Sequence, residues 1–506
     1  VTRARWRRLA AASARSARLL AALLVIGCSP EAADEPGVEG DRGSGRPNVL
    51  FLLAEDQGAQ LGLLDTPGLE TPNLDRLARE GVYFREAFVN YPVCSPSKAV
   101  LFTGLYSHAN GLRANTRNLF KPASQLTPSE RADRIYRSVR IHEAVPTLIE
   151  ILRDAGYVTG IRGSFHVAPN EKFPYDEFMR PNWLRAVQPL ADLIAQARQA
   201  RRPWFLLFGL SSTHRPFRDS TRVEIGVDPR AVVLPAFLPD TPIVRRDWSE
   251  YLDSIEQSDA LVGQLLEVLE ASGEAERTIV FFMSDHGPAF QRGKMSLHDL
   301  GLRVPLAVRG PGVARGLTSD ALASGVDLMP TILDLLGLAR PPLQHGRSLK
   351  PILEAGEDAA SPGLVFAEIS HAFPASPGLE ERAVYDGRFR MLYRQGVNRP
   401  RRVNADLRNW KRWRNRTYRE TVARRAAFPR AYAVLQAVDP ARLGGRPPRF
   451  ELYDRQSDPD EVEDLARSAR HREILERMAV ALGAWAEATD DADLSIVELR
   501  AALDDW

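Results

Sequence analysis

Four short apolar runs in this chain each end in acids or histidines. NVLFLLA (48–54) runs into Glu55 and Asp56, and GYVTGIRG (156–163) into Ser164, Phe165 and His166. WFLLFGL (204–210) leads to Ser211, Ser212, Thr213 and His214, and TIVFFMS (278–284) to Asp285 and His286. Taken singly, an acid after a strand is commonly a helix cap, and a lone histidine is commonly structural. Taken together, Glu55, Asp56 and Asp285 would bring three carboxylates close, which needs a counter-cation. An oxygen-rich cluster of that kind suits Ca²⁺, Mg²⁺ or Mn²⁺. Such a cation, with His166, His214 and Lys294, would form a receptor for a tetrahedral oxyanion. Sulfate and phosphate esters both fit.

The stretch NYPVCSPSKAVLFTG (90–104) adds a nucleophile, because Cys94 is one of only two cysteines in the chain. Ser95 reads as the cap of a helix that opens at Pro96 and stops at Gly104. Cys94 would then sit beside a helix N-terminus, where unpaired N–H groups favour an anion and lower a thiol pKa. A buried structural cysteine is the alternative.

The elements that must position these residues follow from the same pattern. Apolar runs alternating with helical stretches predict an α/β fold with a large, mainly parallel sheet flanked by helices. In such sheets the site lies beyond the carboxyl ends of the strands, where all four polar clusters fall. One helix is expected over TPNLDRLAREG (71–81), with Thr71 as cap and Gly81 as stop, and another over residues 249–273. ERAVYDGRFRMLYR (381–394) reads as a hairpin of a smaller antiparallel subdomain. The basic stretch 398–425 carries Trp410 and Trp413, which could stack sugars beside arginines or pack inward on an amphipathic helix.

The amino-terminal 28 residues stand apart. A basic run, then LLAALLVIG, then Cys28, is the pattern of an export signal, too short for a mature membrane anchor. VIGC resembles a bacterial lipobox, in which the cysteine is lipidated. The Gly-, Pro- and acid-rich residues that follow read as a flexible tether. The expected organisation is a lipoprotein-type signal peptide over 1–27, a tether over 28–46, a catalytic domain over 47–375 and a C-terminal subdomain over 376–506. The expected location is the bacterial cell envelope. A lipidated Cys28 would leave Cys94 without a disulfide partner. The formal net charge of +2 gives no electrostatic case for nucleic acid as a partner. Basic residues are nearly all arginine, so each lysine is informative.

These residues resemble the sulfatase family. CSPSK followed by LFTG is similar to its signature C-x-P-x-R with a Thr-Gly turn, in which the cysteine becomes formylglycine and the hydrated aldehyde is the nucleophile. RPNVLFLLAED resembles its opening strand and first metal ligands. TPNLDRLAREGVYFREAF resembles the helix and strand that follow. SDHGPAFQRGKMSLHDLGLRVPLAVRGPG (284–312) resembles its second metal-binding stretch and active-site lysine, and FELYDRQSDPDEVEDLA (450–466) its last segment. LPAFLPDTPIVRRD (234–247) and LGAWAEATDD point to the N-sulfoglucosamine sulfohydrolase branch, which acts on sulfated aminosugars of glycosaminoglycans.

By that resemblance Glu55, Asp56, Cys94, Asp285 and His286 would surround one divalent cation, most simply Ca²⁺, with Mg²⁺ or Mn²⁺ as alternatives. His166, His214, Lys294 and Lys98 would handle the sulfate and the nucleophile. The implied partners are a sulfated glycan or small sulfate ester, a formylglycine-generating enzyme, and the membrane through the N-terminal lipid. Three positions depart from the family pattern. The first Asp is Glu55, the signature Arg is Lys98, and the lysine two residues before His166 is Ser164. Two other readings stand beside the sulfatase: a phosphodiester or phosphonate ester hydrolase of the same superfamily, suggested by His286 where the family usually has Asn after Asp285, and a catalytically impaired binder of sulfated polysaccharide, suggested by the three altered positions.

Overall fold

The computed structural model describes residues 45–116, 125–133, 137–163, 165–179, 187–217, 226–355, 363–370, 380–395, 415–445 and 447–506. The signal, Cys28 and most of the tether lie outside these residues, as do Ser164, Trp410 and Trp413.

Eight strands form the large sheet. In chain order they are β1 (Asn48–Ala54), β2 (Val82–Phe84), β3 (Val158–Arg162), β4 (Glu177–Met179), β5 (Trp204–Leu210), β6 (Thr278–Ser284), β7 (Leu306–Arg309) and β8 (Leu317–Ser319). Their spatial order is β4-β3-β5-β1-β6-β7-β2-β8. All neighbours run parallel except that β7 is antiparallel to both β6 and β2, so the sheet is mainly parallel as the sequence predicts. The central strands β1, β5 and β6 read as unbroken apolar runs because both faces are covered.

Alternation along β1 shows what covers each face. Leu50 and Leu52 join Val280 and Phe282 in a core with Val262, Leu265, Leu266 and Leu269 of a long helix, here α3. On the other face the Phe51 ring lies 6.0 Å from that of Phe102. Phe102 belongs to a helix, α2, buried along its whole length from Cys94 to Thr103. Helix α3 spans Pro242–Ala271, starting seven residues before the expected 249, because Thr241 accepts a hydrogen bond from Val244 N at 3.3 Å and Pro242 occupies the first turn. The shorter helix α1 runs over Pro72–Arg79. Thr71 does not cap it with its side chain, since that hydroxyl donates to Asp75 and accepts from Gly62 N.

A second sheet of four antiparallel strands comprises β9 (Val365–Ile369), β10 (Glu381–Tyr385), β11 (Phe389–Arg394) and β12 (Phe450–Asp454). The hairpin read from 381–394 is β10–β11, and β9 comes from upstream of residue 376. Met391, Phe450 and Leu452 pack on Leu475, Met478 and Leu482 of a helix over Arg472–Thr489. This sheet is tied by buried charges to the segment after α2 and to the loop after the helix over Arg472–Thr489. His108 Nδ1 lies 2.8 Å from Glu368 on β9, and Arg382 on β10 holds Asp491 through two hydrogen bonds of 2.6 and 3.0 Å. No helix among the described residues is long and apolar enough to cross a membrane.

Candidate active site

Register brings the predicted residues to one edge. Ala54 of β1 pairs with Leu210 of β5 and with Ser284 of β6, so the three central strands end level. Glu55 N then donates to Leu210 O at 2.9 Å, and Asp285 N to Ala54 O at 3.0 Å. Glu55, Asp56, Asp285 and His286 are all buried there. Asp56 takes a left-handed backbone, φ 58°, and its N–H donates to Asp285 Oδ1 at 3.0 Å, turning the chain so that both aspartates face one point.

Helix α2 enters from below this edge, and it starts earlier than the sequence suggests. Cys94, not Pro96, is its first residue; Val93 is the extended cap, and Val93 O accepts from Ser97 N at 2.9 Å. Ser95 does not cap the helix, because its hydroxyl meets Thr116 while its N–H donates to Asn115 Oδ1 at 3.0 Å. Gly104 stops the helix at φ 63°, as expected. Cys94 thus stands inside the first turn, and Lys98 lies one turn further on, on the same face.

Around residue 94 the contacts are short. Cys94 Sγ lies 3.2 Å from His286 Nε2, and His166 also hydrogen-bonds the thiol. His286 Nδ1 donates to Gly287 O at 2.9 Å, which turns Nε2 toward Cys94 and toward Asp56 Oδ1 at 3.4 Å. Burial opposes ionisation of Cys94, but Lys294 and His286 outweigh it and bring the thiol down to about 5. His286 is correspondingly raised to about 9; burial opposes the shift and Asp285 and Cys94 drive it. The buried-structural alternative for Cys94 is right about burial, since the residue is 2 % exposed. Its neighbours nonetheless make it an anion site.

Two lysines split the carboxylates. Lys294 Nζ bridges both oxygens of Asp56 at 2.9 Å and approaches His214 Nε2 at 3.5 Å. Lys98 Nζ lies 2.9 Å from Glu55 Oε1 and 3.2 Å from Asp285 Oδ2. His214 Nδ1 donates to Arg215 O at 2.6 Å, leaving Nε2 for the site. Burial opposes protonation of His214, yet the Asp56 carboxylate raises its pKa. Asp285 is held well below the usual carboxylate range: burial opposes this, and His286 and Lys98 prevail. Thr213, which the sequence reading did not single out, donates its hydroxyl to Glu55 O and fixes the turn after β5. Nothing in its local sequence marks it, because the contact crosses from one strand end to the next.

The donors suit a divalent cation. Asp56, Cys94 and His286 offer ligand atoms that all lie within 4.8 Å of one another. With Nδ1 of His286 fixed on Gly287 O, Nε2 is the nitrogen that a cation would bind in place of a proton, the arrangement that orients a metal-binding imidazole. Asp285 Oδ2 is buried beside that group with the Lys98 ammonium 3.2 Å away, so the carboxylate is held close to the three ligand atoms. The charge balance agrees. Three carboxylates against two lysines leave one net negative charge, and a divalent cation would turn it into one net positive charge suited to an anionic ester.

Comparison with known proteins agrees with this geometry. The sequence model of the family Sulfatase matches residues 47–338. The human (Homo sapiens) N-sulphoglucosamine sulphohydrolase is 29 % identical over 485 residues, covering 88 % of this chain and 90 % of that protein. The dog (Canis lupus familiaris) N-acetylgalactosamine-6-sulfatase is 30 % identical over 410 residues, covering 68 % of this chain and 71 % of that protein. A solved structure in complex with its substrate D-Glucosamine-2-N, 6-O-disulfate superposes with a TM-score of 0.60 at 18 % identity, covering 88 % of this chain and 99 % of that one. With its strand-end acids, its cysteine-led helix and a family match that spans the site, this chain belongs to the sulfatase family of sulfuric ester hydrolases.

Proposed function

We propose that this protein is an exported, metal-dependent sulfatase that hydrolyses a sulfate ester or sulfamate on a sulfated glycan, with Cys94 as the precursor of formylglycine. The observation that carries the reading is the position of Cys94. It is the first residue of a helix, its sulfur is 3.2 Å from His286, and it shares one ligand cluster with Asp56. The glycan class follows from the two relatives, which are named for sulfated aminosugars. The cell-envelope location rests on the VIGC stretch ending at Cys28.

The chain's own residues divide the work. When bound, the cation supplies positive charge to the sulfate oxygens and the hydrated aldehyde supplies the attacking oxygen. Lys294, held between Asp56 and His214, is placed to bind a sulfate oxygen as a point charge. His166, in contact with residue 94, is placed to take a proton from a hydroxyl there. His214 has its Nδ1 fixed on a backbone carbonyl and presents Nε2 to the site, the orientation needed to give a proton to a leaving oxygen or nitrogen. Lys98 does not face the substrate in this arrangement; it holds Glu55 and Asp285 in place. Ca²⁺ is the simplest cation for a carboxylate-rich site, with Mn²⁺ favoured if His286 coordinates.

The test is turnover by purified protein co-expressed with a formylglycine-generating enzyme. Aryl sulfate should be cleaved at least 100-fold faster than aryl phosphonate or phosphodiester, and Cys94→Ala should abolish the cleavage. Preference for the phosphorus esters would move the protein to the hydrolase alternative, and binding of sulfated polysaccharide without turnover would make it a binder.

A further inference from the structure

Arg162 ends β3 and is 2 % exposed as a residue. Nη1 donates to Gly209 O at 2.9 Å, and the group lies 4.5 Å from the centre of the Phe208 ring. Nε and Nη2 are buried and donate to nothing among the described residues. Among the described residues no carboxylate pairs directly with this cation, and burial pulls its pKa below the usual value for arginine. A buried cation with two unused donors costs several kcal/mol unless something accepts from them.

A carboxylate shares a small cavity with this side chain. Arg162, Glu55 and Lys98 line it, with Leu53, Leu207 and Phe165 forming its apolar wall, and about 10 Å³ is open to the centre of a water molecule. That is room for about one water, an internal water needs two to four polar partners, and the polar side chains among the lining residues are Arg162, Glu55 and Lys98. Glu55 spends Oε1 on Lys98, leaving its second oxygen available to such a water.

We propose that Arg162 is a positioning residue that holds the Glu55 carboxylate through a single internal water. The water donates to Glu55 and accepts from Arg162, so that Glu55 is clamped between a direct ammonium and a relayed guanidinium. Lys98 supplies a point charge to Glu55 but no two-pronged hydrogen bonding, and Arg162 adds the second direction of restraint from the neighbouring strand. The inference rests on the active-site reading only for the importance of Glu55.

The experiment reads folding rather than turnover, so it can fail or succeed independently of the sulfatase assay. Urea unfolding midpoints are compared for the full chain, Arg162→Met, Arg162→Lys, Glu55→Gln and the Arg162→Met/Glu55→Gln pair. The expected result is a lower midpoint for Arg162→Met in the parent, partial recovery with Arg162→Lys, and no further loss when Glu55 is already Gln. An unchanged or higher midpoint for Arg162→Met would show an unpartnered cation and overturn the proposal. An equal loss in both backgrounds would show a purely local packing role and overturn it as well. If Glu55→Gln fails to accumulate, a crystal structure of the parent decides. Density for a water within hydrogen-bonding distance of Arg162 and Glu55 supports the clamp, and a dry cavity contradicts it.

Discussion

Lys98 Nζ sits 2.9 Å from Glu55 Oε1, with both side chains buried. These are two of the three positions at which the chain departs from the family pattern, and the structure shows them to be one ion pair. A base shorter by about one bond faces an acid longer by one methylene, so the span between α2 and the end of β1 is kept. Burial opposes both charges, but the partners prevail: Lys98 is raised and Glu55 lowered from their ordinary values. Two departures that look damaging one at a time are therefore compatible with a working site.

The pair should behave as a unit in mutagenesis. Lys98→Arg alone overfills the gap and Glu55→Asp alone opens it, so each should lower kcat/KM by about tenfold or more, as expected for coupled buried charges. The double variant should recover to within about threefold of the parent. Additive losses in the double variant, measured by steady-state kinetics, would show that the two residues act separately.

Metal content gives a second check. Dialysed protein should retain close to one divalent cation per chain by elemental analysis, and Asp56→Ala or Asp285→Ala should lose it, because each removes a carboxylate from a cluster in which the carboxylates outnumber the lysines. Equal trace metal in parent and variants would rule the site out.

Stability should depend on pH through His108 and Glu368, which are remote from the cation site and meet at 2.8 Å. Burial opposes both shifts; Glu368 nevertheless raises His108 above 6.5, and His108 and Arg382 lower Glu368 to about 2. The Glu368 contribution is present above about 4.5 and is lost as pH falls toward 2. The His108 contribution is complete below 6.5 and is lost as pH rises through its higher folded value. Thermal unfolding between pH 2 and 9 should show both limbs. Glu368→Gln should flatten the acid limb and cost about 3 kcal/mol at pH 6, since it leaves a buried partner unmatched. An unchanged profile in that variant would remove the pair from the account.

Anchoring is tested separately. Expressed in a bacterial host, the protein should fractionate with membranes and incorporate labelled palmitate, and Cys28→Ala should abolish labelling. Unlabelled, soluble parent protein would refute the lipobox reading.

Much of the site was legible because parallel central strands are buried on both faces and read as uninterrupted apolar runs. Their ends were visible as Glu55, His214 and Asp285, and register did the rest by aligning Ala54, Leu210 and Ser284. The start of α2 was not legible, because Asn115 satisfies the Ser95 N–H from 20 residues downstream and Thr116 takes the Ser95 hydroxyl. Thr71 escaped for the same reason, its hydroxyl being committed to Asp75 and Gly62. Arg162 was hidden inside an apolar strand pattern, although an arginine in the run GYVTGIRG is itself the signal. The Lys98–Glu55 pairing joins residues 43 positions apart, and no local pattern connects them.

The central claim is that residue 94 does not remain a cysteine. Peptide mass spectrometry over residues 86–113, on protein co-expressed with a formylglycine-generating enzyme, tests it directly. The account predicts a major fraction with the cysteine sulfur replaced by an aldehyde oxygen and trapped by a hydrazide reagent. Peptide carrying cysteine throughout, with no hydrazide adduct, would contradict it.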